Sequence, residues 1–143
     1  MPDARSHTNR VNLWMKHEAK GLTPEQLVQL FEQAMGALWR RAHLTLGEVT
    51  LAAIVDRVLH NAAEQFPLLE SLEVEASGVN CRSLRAAANS DTKGELTEGI
   101  RFVLVEFFVV IGNLTAGVLT PALHSELSKV AFHDSEPDNT ESR

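Results

Sequence analysis

The sequence predicts a mainly α protein. The expected architecture is a single bundle of about four to six helices over residues 11–132, with a short irregular or hairpin segment near residues 73–81. Three observations predict it. The chain has 143 residues, 44% hydrophobic and 22% charged, which suits one globular domain and excludes wholesale disorder. Two segments open with capping boxes and continue with apolar residues at three- and four-residue steps. The longest apolar block, Phe102–Leu119, exceeds the length of one strand.

Taken in order, residues 1–10 are polar and read as a flexible arm without the apolar stretch of a secretory signal. Val11–Lys20 suits a short helix with Leu13, Trp14 and His17 near one face, stopped by Gly21. Thr23-Pro24-Glu25-Gln26 starts the next helix, since Thr23 can cap, Pro24 fits the first turn and Gln26 completes the box. Leu27, Leu30, Phe31, Ala34, Met35 and Leu38 form its stripe, and Arg40 and Arg41 suit its last turn near Ala42. A second box, Thr45-Leu46-Gly47-Glu48, precedes the stripe Leu51, Ile54, Val55, Val58, Leu59 and Ala62. Pro67 ends that helix near Gln65, and the short connection makes the two helices an antiparallel pair.

The middle is less regular. Leu68, Leu69 and Leu72 suggest one helical turn, Leu72–Glu75 alternates as a strand does, and Ser77-Gly78 signals a turn. Arg82–Asn89 suits a short helix and Ser90–Gly94 a polar loop. The final block starts near Asp91 or Thr92. Val103–Val110 is rich in β-branched and aromatic residues, so a buried strand competes with helix there; the length of the run favours helix. Thr120-Pro121 kinks or restarts the helix, with Thr120 as cap, and Leu123, Leu127, Val130 and Ala131 are the last apolar positions. Residues 133–143 carry Asp134, Glu136, Asp138 and Glu141 and read as a disordered, solvated acidic tail.

Composition narrows the function. Thirteen Lys and Arg against nineteen Asp and Glu give a net charge of −6, which argues against a nucleic-acid partner. Glu106 and Asn113 interrupt Phe102–Leu119, so a central buried helix is favoured over a membrane span. Cys81 is the single cysteine, which excludes a disulfide framework and any CxxC site, and a cytoplasmic location follows as the expectation. The histidines lack HxxxH or HExxH spacing, so no metal is expected, and no cofactor. His60, beside Leu59, is the best single candidate for an axial haem ligand. No nucleotide-binding or serine-hydrolase motif occurs. Cys81 lies at a helix start near Arg82 and Arg85, a setting that lowers a thiol pKa.

The remaining candidates are interface or pocket residues. Glu106, between Val105 and Phe107, must face water, pair with Arg40, Arg41, Arg57 or Arg101, or line a polar pocket. Gly112 and Ala116, with Gly117 beside them, form a small-xxx-small step that allows a close helix crossing, within the chain or across a dimer. Phe107, Phe108 and Ile111 would line a pocket in the same space.

Two short stretches resemble signalling families. His17-Glu18-Ala19-Lys20-Gly21 matches the HxxKG pattern and resembles histidine phosphotransfer domains. That resemblance implies an exposed phosphoaccepting His17 and a glycine that admits a receiver domain. In the family the helix continues past the glycine, whereas here Leu22-Thr23-Pro24 starts another. His124-Ser125-Glu126-Leu127 resembles the phosphoacceptor helix of histidine kinases, which would make His124 the acceptor. It departs from that motif in having Ser125 before the acid and Pro121 upstream. The leading expectation is a small non-enzymatic regulatory or adaptor domain acting through protein contacts, as a homodimer. A phosphotransfer module and a small-ligand domain with a pocket around Phe107 are the alternatives.

Overall fold

A computed structural model of the chain describes residues 4–75 and 78–130. Among them are six α-helices: α1 (Ala4–Glu18), α2 (Pro24–Leu46), α3 (Glu48–Gln65), α4 (Arg82–Ala87), α5 (Lys93–Leu114) and α6 (Thr120–Lys129). Short 3-10 turns fill Pro67–Ser71 and Ser90–Thr92. One hairpin pairs β1 (Glu73–Glu75) with β2 (Gly78–Asn80), antiparallel, with Val74 opposite Val79. The fold is the expected helical bundle with a small hairpin. The acidic tail expected over 133–143 lies outside the described residues.

α1 starts at Ala4, which corrects the flexible arm expected over 1–10 as far as residues 4–10 are concerned. His7 and Val11 are buried, so this polar stretch is ordered by the surface it covers and not by its own composition. α2 opens with the expected box. The Thr23 hydroxyl accepts from the Gln26 N–H at 3.2 Å, and Gln26 Oε1 accepts from the Thr23 N–H at 3.0 Å. The second box does not form. Gly47, at φ 81°, ends α2 and begins α3 within one residue, and Thr45 stays inside α2. A capping signal passed over in the sequence lies at Asn89, whose side chain accepts from the N–H groups of Asp91 and Thr92 ahead of α5.

α5 is helical throughout Val103–Val110. Its buried residues Leu96, Ile100, Val103, Leu104, Phe107, Phe108 and Ile111 follow the helical period, so burial overrides the β preference of the valines. α5 runs between α1 and α3. Asn61 meets Glu106 and Leu68 meets Glu95, so α3 is antiparallel to α5. His7 stacks near Phe108 while the end of α1 reaches the start of α5, so α1 is antiparallel to α5 as well. Phe31, Phe107 and Phe108 are the largest wholly buried side chains. Each contributes about 1.5–3 kcal/mol by burial. α6 closes the bundle over α2. Among the described residues no helix is long and apolar enough to cross a membrane.

Candidate functional site

The end of α1 and the first half of α5 enclose a groove of about 770 Å³, floored by Met15, Ala19 and Leu27. Asn12, Lys16 and Lys20 stand along one wall at four-residue steps. Lys93, Thr97 and Arg101 stand along the other at the same step. His17 completes the lining. Three of the chain's four lysines therefore face one recess, although the chain as a whole is acidic. No carboxylate lines the groove. Glu98, at its margin, pairs with the Arg101 Nη1, and the buried Arg101 Nε has no hydrogen-bond partner. An apolar floor between cationic walls concentrates positive potential where an anion can also bury hydrocarbon.

Val130, the last of the described residues, lies against α1. Trp14 Nε1 donates to the Val130 carbonyl at 2.9 Å, fixing the end of α6 against the helix that forms the groove.

On the far half of α1 lies a buried histidine pair. His7 Nδ1 and His124 Nε2 share a hydrogen bond of 3.2 Å, one ring donating to the other. The Phe108 ring meets the His124 ring edge-on at 4.8 Å between centroids. Burial foremost, with the charges of His7 and Arg10, pushes the His124 pKa down to about 4. His124 is thus neutral and buried, bonded to His7 and packed on Phe108, which is not the exposed helix face that a phosphoaccepting histidine needs. His17 is exposed, but α1 ends at Glu18 and Gly21, at φ 77°, breaks the helix, so the helical setting of a phosphotransfer domain is not reproduced.

The other predicted residues are dispersed. Phe107, Phe108, Ile111 and Gly112 are buried in the core of the chain. A Cβ on Gly112 would sit 3.3 Å from Thr120 Oγ1 and 3.7 Å from His7 Nε2, so the glycine admits the turn and α1 together. Of the small-xxx-small step, Gly112 lies on α5 against α1, whereas Ala116 and Gly117 lie beyond the end of the helix. α5 ends at Leu114, Ala116 has φ 52°, and the Gly117 N–H donates back to the Gly112 carbonyl at 2.8 Å, closing a Schellman-type turn. Leu119, not Thr120, occupies the cap position of α6. Glu106 is half-buried, accepts from Asn61 Nδ2 at 3.5 Å, and pairs with none of the four expected arginines. Cys81 is buried and its pKa is pushed up to about 12 by desolvation, the reverse of the activated thiol expected at a helix start. His60 is exposed and 3.5 Å from Glu64, outside any apolar haem-like setting.

Among the described residues no three His, Cys, Asp or Glu side chains gather to hold a metal ion. No family model, no curated protein and no solved structure matches the chain.

Proposed function

We propose that the chain is a non-enzymatic regulatory or adaptor domain of the cytoplasm that works by binding another protein. The α1–α5 groove is its partner surface, and an acidic segment carrying an apolar side chain is the element it receives. The concentration of Lys16, Lys20, Lys93 and Arg101 around an apolar floor, in a chain of charge −6, carries this reading. A lone, buried, unactivated thiol suits a reducing compartment.

The test is an amide-shift titration of the isotope-labelled protein with a short peptide of Glu and Ser around one Phe. The control peptide carries Gln in place of Glu. Shifts clustered in residues 12–20 and 93–101, with the acidic peptide only, are the expected result. No shifts at millimolar peptide, or shifts scattered elsewhere, would remove the reading.

Self-association is a second reading, favoured by a separate observation. Leu44, Val49, Leu114 and Val118 are exposed large apolar residues. The antiparallel α3 and α5 bring the start of α3 and the end of α5 to one end of the bundle. A homodimer through that end would bury them. Analytical ultracentrifugation across micromolar concentrations tests it: a dimer weakened by Val49→Glu and Val118→Glu is expected, and a monomer throughout would exclude it.

A further inference from the structure

We infer that the groove's occupant in the resting protein is the chain's own segment 131–143, which competes with the acidic partner. This rests on the groove reading above and adds its regulation.

The groove asks for negative charge joined to an apolar side chain, and the segment supplies both. Ala131-Phe132-His133 leads into Asp134, Glu136, Asp138 and Glu141, with Arg143 its single Lys or Arg. An aromatic side chain thus precedes four carboxylates within a short stretch, matching a floor of Met15, Ala19 and Leu27 walled by three lysines and an arginine. The opposite charges of segment and groove are the complementarity that selects this occupant.

Connectivity makes the encounter intramolecular. The segment begins next to Val130, whose carbonyl is held by Trp14 on the helix that supplies Asn12, Lys16 and Lys20 to the groove. The distance to cover is about the width of a helix, roughly 10–12 Å. Thirteen residues extend up to about 45 Å, so the segment reaches without strain. Tethering at that range supplies an effective concentration in the millimolar range, enough for a weak contact to exclude an external acidic segment. Salt lowers the competition, because the groove is open to solvent and its charges are screened.

The experiment uses the full chain. Fluorescence anisotropy follows a labelled synthetic peptide of residues 131–143. The proteins compared are the wild type and a variant with the segment neutralised by Asp134→Asn, Glu136→Gln, Asp138→Asn and Glu141→Gln. The neutralised protein is expected to bind the peptide at least about tenfold more tightly than the wild type. Adding Lys16→Gln and Lys93→Gln, both exposed positions that leave the core untouched, is expected to abolish that binding.

Equal, tight binding by both proteins would overturn the inference and leave the groove reading standing, since an acidic segment would still bind. Absence of binding by either protein would also overturn it. The amide-shift titration then separates the cases: groove shifts with the Glu-Ser-Phe peptide preserve the partner surface, and their absence removes both. A wild-type block that grows with protein concentration would place the segment in a second copy and overturn the intramolecular form.

Discussion

Lowering the pH from 7 to 5 should cost the fold about 2 kcal/mol through His124 alone. His124 has a folded pKa of about 4 because it is buried and faces His7 and Arg10. An unfolded histidine titrates near 6.5. The folded value is the lower one, so the unfolded chain binds the proton first. The stability is complete above about pH 6.5 and is lost as pH falls from there toward 4. Within that window each pH unit approaches about 1.4 kcal/mol, the linkage slope for one proton. Geometry gives the same sign. Placing a proton on both facing nitrogens, 3.2 Å apart, would set two donors against each other beside the Phe108 ring. Urea unfolding at pH 7, 6 and 5 measures it, read by the fluorescence of Trp14 and Trp39, both buried. His124→Gln provides the reference: Gln bonds to His7 but takes up no proton. The difference between the two profiles removes the titrating groups that do not interact with His124 and leaves the His7–His124 pair. Parallel profiles for wild type and His124→Gln would refute the reasoning.

Further outcomes follow from local geometry. Gly99→Ala places a Cβ 2.7 Å from Leu69 Cδ1, inside a packed contact. Overpacking of about 1–3 kcal/mol should outweigh the gain of about 1 kcal/mol in helix propensity. In a Leu69→Ala background the same change should become stabilising, and a thermal-unfolding double-mutant cycle reads the reversal. Ala116→Gly should raise stability by about 1 kcal/mol, because φ 52° is costly for alanine, and a chemical-denaturation midpoint shows it. Trp14→Phe deletes the donor to the Val130 carbonyl and should cost about 1 kcal/mol in the same assay.

Most of the fold could be read locally. Thr23 and Gln26, the stripe from Leu27 to Leu38, and Pro67 each state their structure within one turn of helix. The hairpin was visible in the alternation of Leu72–Glu75 followed by Ser77-Gly78. What stayed hidden depends on tertiary context. His7 sits in a stretch with little apolar content, and only the packing of α1 on α5 makes it a core residue. The groove has a sequence signal, the four-residue steps Asn12-Lys16-Lys20 and Lys93-Thr97-Arg101. Their juxtaposition needs two segments far apart in the chain to lie antiparallel, and no local pattern encodes that. The same limit applies to Phe107, Phe108 and Ile111. An all-round apolar helix suits a dimer surface or a core equally, and here α1 and α3 cover it from both sides.

The central claim is that α1 lies on α5 and brings Lys16, Lys20 and Lys93 around one recess. Amine-reactive cross-linking with a short spacer, followed by peptide mass spectrometry, tests it most directly, because the chain has only four lysines. Lys129, on α6, lines a different recess and pairs with Glu126, which makes it an internal reference. Links from Lys93 to Lys16 and Lys20 within one monomer are the predicted result. Reaction of Lys93 without any link to α1, under conditions where the protein is folded, would contradict the account.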